Sequence, residues 1–389
     1  MARANSYILI FAVSLLAALG VVMLASTSYF LDEGSGIAYS KLRSQCMWLM
    51  ISSLAAFIMA LFRYQMLYTY RWWIYGAAVL GLALCYVPFF AEEVNGASRW
   101  LSLHSLGFSR LHFQPSELGK LACVIILAGW YVRYESLTRK FLGGFVFPGA
   151  LVLVLALLIA GEVDLGNAAL VGTLGVGLMF VAGACWRYVL PIVLIGPVGL
   201  GCIIKVMPNR VERILAFIDL EKYKDGLGMQ QWRSLIAFGS GGIEGLGLGN
   251  GRQKMLYLPE AHTDFIFPMI GEELGLYGTG LVLLMFAVLI YAGMSVARHA
   301  PDRFGRFLAF GITLTFALET LINMGVTTAL LPNKGLPLPF VSYGGSSLLF
   351  AMIGAGILIN IHRQSSHESK KDLLAIPRRR MTAGSHGAF

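Results

Sequence analysis

Long apolar runs of roughly twenty residues recur along this chain, and each is about the length an α-helix needs to cross a hydrocarbon layer roughly 30 Å thick. Ten such runs are legible, at approximately 7–26, 46–62, 72–90, 115–132, 145–161, 165–183, 188–206, 276–294, 307–328 and 341–361. Lipid offers no partner to a bare peptide group, so the runs are expected as helices packed together. The 389 residues are 57% hydrophobic and only 13% charged, which sets the chain apart from soluble globular domains. The expected fold is therefore an all-α integral membrane protein, a bundle of about ten transmembrane helices. One membrane domain, 1–362, is followed by a basic tail, 363–389. The first run follows only MARANS and has no small-residue cleavage site after it, so it is read as a retained anchor.

Basic residues set the orientation. With ten spans both termini share a side, and on it lie Arg63, Arg71, Arg133, Arg139, Lys140, Arg187, Arg298, Arg303, Arg306 and the Arg-rich tail. Acids are sparse there, so both termini are expected in the cytoplasm of a multi-pass inner-membrane protein. The formal charge of +9 then reports topology and attraction to anionic lipid, and it is no argument for nucleic acid. Cys46, Cys85, Cys123, Cys185 and Cys202 fall in or beside apolar runs without a CxxC pair, as packing residues do. One connection is long, the external loop at about 207–275 between spans seven and eight. Its mixture of aromatics, apolar runs and glycine turns predicts short amphipathic helices at the membrane surface.

Chemistry concentrates at the external ends of the spans. In YLPEAHTDFIFPMIGEELGL, 257–276, a histidine and four carboxylates interrupt apolar sequence. Two readings of Asp264 compete. As a helix cap it would need nothing more, with Glu272 and Glu273 solvated in the next turns. As a general base it would have to be a stronger base than an ordinary aspartate, whose pKa is near 3.9. Burial against Phe265 and Phe267 would supply that, and a nearby cation would oppose it. His262 orients a substrate, binds a cation, or is a solvated loop residue. In QPSELGK, 114–120, Glu117 and Lys120 share one helix face and can pair, and ionisable groups at membrane depth mark functional sites by default. Upstream, Trp100 suits an interfacial belt, whereas the adjacent Arg99 has no such reason to be there. LPNKGLPLPFVSYGGSS, 331–347, reads as a rigid non-helical turn bringing Asn333, Lys334, Ser342 and Tyr343 to the same surface. One base among cations (Arg99, Lys120, Lys254 and Lys334) suits a lipid-anchored, phosphate-bearing substrate. No Ser–His–Asp arrangement, HExxH motif or nucleotide loop is present.

These motifs, together with GSGGIEGLGLGNGRQKM and LINMG, resemble the SEDS family (shape, elongation, division and sporulation) over nearly the whole chain, and its division branch more than its elongation branch. The resemblance implies a peptidoglycan glycosyltransferase. Such an enzyme joins lipid II units on the outer face of the cytoplasmic membrane at the division septum. It works with a class B penicillin-binding protein and other membrane proteins of the division machinery. It also implies that Asp264 deprotonates the acceptor hydroxyl as undecaprenyl diphosphate leaves with inversion. Substrate contacts are then expected at Arg99, Glu117, Lys120, Lys254, His262, Lys334 and Ser342, and the leaving charge meets these cations or a divalent metal, Mg2+ or Mn2+. Three positions depart from the family pattern: Glu319 and Arg233, each where Gln is usual, and Pro268, where a small residue is usual. Glu319 puts a carboxylate at depth that needs a partner. A lipid II flippase is the rival reading, which predicts polar residues at the bilayer midplane. An elongation-type polymerase and a division scaffold are the others.

Overall fold

The computed structural model describes residues 4–32, 39–94, 97–102, 112–191, 194, 196, 201, 208–254, 258 and 260–375. Among these, eight helices are long and apolar enough to cross a membrane. They are α1 (Ala4–Asp32), α2 (Ser40–Leu61), α5 (Pro115–Arg133), α6 (Phe147–Gly161, entered through a π-helical turn at Phe141–Val146), α7 (Leu165–Ala182), α10 (Ile266–Arg298), α11 (Arg303–Thr327) and α12 (Gly345–Ala375). The shorter apolar α4 (Arg71–Leu84) follows a five-residue helix, α3 (Gln65–Thr69). The predicted seventh span, 188–206, falls largely outside the described residues, as does the end of the predicted tail. The bundle is thus as expected in kind, and the first part of the tail continues α12 as helix.

Two features go beyond the all-α expectation. A small antiparallel sheet, β1 (Ala91–Val94), β2 (Ala97–Ser102) and β3 (His112–Phe113), joins α4 to α5, with Ala91 opposite Leu101 and Leu101 opposite Phe113. It sets Arg99 and Trp100 by the N-terminal end of α5. The predicted eighth span is also not one continuous rod. α10 starts at Ile266, with Pro268 in its first turn where no intrahelical N–H is needed, and breaks at Gly275 (φ 63°). A Cβ there would lie 2.4 Å from the Ile243 carbonyl oxygen, so only glycine permits the break. The long connection predicted at 207–275 holds two short helices among its described residues, α8 (Pro208–Ile218) and α9 (Met229–Gly241), in accord with its amphipathic sequence.

α5 is the centre of the bundle. Seven successive residues, Ala122 to Ala128, are buried, which requires neighbours on every face. α2, by contrast, turns most of its length outward. Small residues set the close crossings. A Cβ on Gly356 of α12 would meet the Ala56 carbonyl of α2 at 2.4 Å, and one on Gly311 would strike Val124. Helix ends are satisfied locally: Asp164 accepts from the Asn167 N–H (3.2 Å), and Asp302 from the Gly305 N–H (2.6 Å) and the Tyr64 hydroxyl (2.6 Å).

Candidate active site

The chain runs through residues 262–264 as an irregular strap, and groups from distant elements hold its three peptide carbonyls. The Tyr343 N–H donates to the His262 carbonyl (2.9 Å), the Ser342 hydroxyl to that of Thr263 (2.6 Å), and the Asn323 amide to that of Asp264 (2.8 Å). Asn323 also donates to Leu336 (2.7 Å), tying the strap to the proline-rich turn. Gly335 lies against the carboxyl of Asp264: a Cβ there would sit 2.1 Å from Oδ2. The N-cap of α10 is Phe265, with no side-chain cap, so Asp264 does not cap its own helix.

Asp264 instead lines a cavity of about 610 Å3 with Arg99, Trp100, Asp164, Arg213, Glu260 and Lys334. Burial raises its pKa to about 7, with Glu260 adding to the rise and Lys334 and Arg99 opposing it. Asp164 is the counterpart. Burial pushes its carboxyl up, but Lys334 (2.7 Å), Arg99 (3.9 Å) and the Asn167 amide (2.8 Å) outweigh burial and bring it down to about 2. Two carboxyls in one cavity are thus driven apart, one fixed as an anion and one poised to exchange a proton near neutrality. Arg99 also donates to the Val163 carbonyl (2.9 Å), and Val163 itself is held at φ 63°. A β-branched residue rarely adopts that conformation, and here it borders the cavity.

The other predicted site residues lie elsewhere. Lys254 is buried against Glu273 (2.5 Å) and the Ser26 hydroxyl (2.7 Å), away from the cavity. Glu273 and its neighbour Glu272, which the helix-cap reading of Asp264 would leave in solvent, are 1% exposed. Glu272 accepts from the N–H groups of Arg252 (2.9 Å) and Gln253 (3.2 Å), and Glu273 from Gly249 (3.0 Å). The acid of GEELG therefore clamps the glycine loop, because a buried carboxylate is tolerable only when its oxygens are bonded. Lys120 pairs with Glu117 (2.8 Å) as predicted, and with Glu319, which so finds its partner. This triad lines a separate narrow cavity that meets the larger one only at Ser347. His262 receives the Lys41 ammonium on Nε2 (3.0 Å) and packs on Tyr343, so it is no solvated loop residue. Ser342 is buried as a bracket between Thr263 and the Leu338 N–H (2.8 Å). Of the predicted set, the cavity gathers Asp264, Arg99 and Lys334.

Sequence reasoning missed Asp164, Arg213 and Glu260. Asp164 opens an apolar run, where an N-cap is the sufficient explanation, and it is an N-cap as well. Arg213 sits on α8, whose charged face looks like any interfacial helix until folding turns it to the cavity. No group of three or more His, Cys, Asp or Glu among the described residues is arranged to hold a metal. With Asp164 already engaged by Lys334 and Asn167, the donors do not fit a resident divalent ion, and no chemical step is assigned to one.

Residues 6–367 match the family model FtsW/RodA/SpoVE, described as cell cycle protein. The chain belongs to the FtsW/RodA/SpoVE family. Among its relatives, a probable peptidoglycan glycosyltransferase FtsW of Geobacter metallireducens is 41% identical over 73% of this chain and 74% of its own. The protein of the same description in Coxiella burnetii is 38% identical over 92% and 95%. Two solved structures share the fold at 28% identity over 92% of this chain. One, described as "Structural coordination of polymerization and crosslinking by a peptidoglycan synthase complex", gives a TM-score of 0.73 over 97% of its chain. The other, the rod shape determining protein RodA of Thermus thermophilus, gives 0.67 over 96%.

Proposed function

We propose that this member of the FtsW/RodA/SpoVE family is a peptidoglycan glycosyltransferase that polymerises lipid II into glycan strands during septal wall synthesis. The observation that carries the reading is the Asp264 carboxyl, raised to about 7 and facing a large cavity that also holds Arg99, Lys334 and Arg213. Its carboxylate takes the proton from an acceptor sugar hydroxyl. The freed oxygen attacks the donor's anomeric carbon, that carbon's bond to the diphosphate oxygen breaks, and the bond pair leaves with undecaprenyl diphosphate. One in-line displacement inverts the centre. Arg99, Lys334 and Arg213, which line the same cavity, receive the leaving charge.

The division reading draws on relatives named FtsW at 41% and 38% identity, against 28% for RodA of Thermus thermophilus. By the basic-residue rule both termini lie in the cytoplasm and the cavity opens outward. A class B penicillin-binding protein is the natural partner, since glycan strands need cross-linking. The test is reconstitution: purified protein with lipid II and its transpeptidase makes strands, and Asp264→Asn makes none while remaining folded. Strand synthesis by a well-folded Asp264→Asn protein would sink the assignment. The Glu117–Lys120–Glu319 cluster inside the membrane is what favours a flippase; lipid II translocation that survives Asp264→Asn alongside lost polymerisation would support that second reading.

A further inference from the structure

We propose that a groove at the opposite membrane face from Asp264 binds one anionic glycerophospholipid, such as phosphatidylglycerol. α5 runs 19 residues from Pro115, beside the catalytic cavity, to Arg133, about 28 Å away at 1.5 Å per residue. At that far end a cavity of about 650 Å3 is walled by Trp130, Tyr134, Phe141 and Phe147, and Lys140 lines it too. Its shape is built rather than incidental. The Trp130 ring packs on Tyr134 (4.4 Å) and Phe147 (5.8 Å), and its indole N–H donates to the Gly143 carbonyl (2.8 Å). The Tyr131 hydroxyl holds the Gly144 carbonyl (2.8 Å), so the π-helical turn that forms the floor is fixed from both sides. Gly143 keeps that floor close, since a Cβ there would meet Leu137 at 2.6 Å.

Charge identifies the occupant. Lys140 lines the groove, Arg133 and Arg139 adjoin its lining residues Tyr134 and Lys140 in the chain, all three are exposed, and among the described residues none of them pairs with an acid. The one carboxylate of this turn, Glu135, is bound by Arg303. An apolar, aromatic-walled groove beside three uncompensated cations complements an acyl chain below a phosphodiester, and lacks the acid that a choline headgroup would want.

The test uses full-length protein carrying equal phosphatidylglycerol and phosphatidylcholine, with retained lipid counted by native mass spectrometry. Phosphatidylglycerol is expected to be retained preferentially. Removing one of the three cations is expected to weaken that preference about fivefold, and Arg133→Ala/Arg139→Ala/Lys140→Ala at least tenfold. Arg298→Ala/Arg306→Ala, an exposed basic pair outside the groove, is expected to change nothing. Equal retention of the two lipids by the unmodified protein would overturn the proposal. So would a preference that survives in the triple variant, or one that falls equally in the control pair.

Discussion

A carboxyl with a pKa near 7 is half ionised where the cell works, and only its ionised form accepts a proton. The polymerisation rate of this protein should therefore rise with pH through about 7 and level off above it, whereas an unshifted aspartate would give a flat profile. Asp264→Asn should bring turnover below detection, a loss of at least about four orders of magnitude, measured as lipid II consumed. Lys334 lowers the Asp264 pKa, so Lys334→Met should move the acid limb to higher pH as well as slow the reaction; an unmoved limb would mean that Lys334 acts only as a scaffold. Asp264 stood out in the sequence as a carboxylate beside a span, although its spacing left a helix cap and a base equally open. Its basicity was not legible, since the balance of burial against Lys334 and Arg99 is settled by elements up to 165 residues away in sequence. His262, Ser342 and Lys254 misled for a related reason. Polar residues near a base can equally be the brackets that hold it, and sequence spacing does not separate the two.

At the level of elements, the first half of α10 and the glycine loop behave as one piece. Lys254→Met would leave Glu273 buried with fewer partners, and breaking a buried pair in this way costs about 3–5 kcal/mol. The expected readout is early proteolytic cutting in the 242–254 loop, with the thermal stability of the remaining bundle less affected. Gly275→Ala forces both an unfavourable φ and a backbone clash, and should cost about 1–3 kcal/mol. Hydropathy located the span at 276–294 correctly but began it one break too late. Residues 266–274 carry two glutamates, which read as surface until the loop folds over them. The small sheet was equally hidden, because AEEV and ASRWLS are too short and too charged to stand out between two apolar runs.

Across the whole molecule, the apolar runs were a sound guide to a helical membrane bundle, since lipid leaves the backbone no other choice. Which helix sits at the centre was not legible. α5 holds that place although it is among the less hydrophobic spans, and it does so because Lys120 finds Glu117 and Glu319 inside. Gly356→Leu should separate α12 from α2 and lower the unfolding temperature in detergent without altering the pH profile, which distinguishes a packing lesion from a catalytic one. The strap through 262–264 bears on how such a protein would repeat its reaction. Its three carbonyls are moored to residues 59 to 81 positions away, so the base has no slack to follow a moving chain end. Each bond made leaves the new disaccharide where the next must sit. The polymer has to slip onward past a stationary acceptor of protons, and the speed of elongation would then be governed by how freely sugar slides through the cleft.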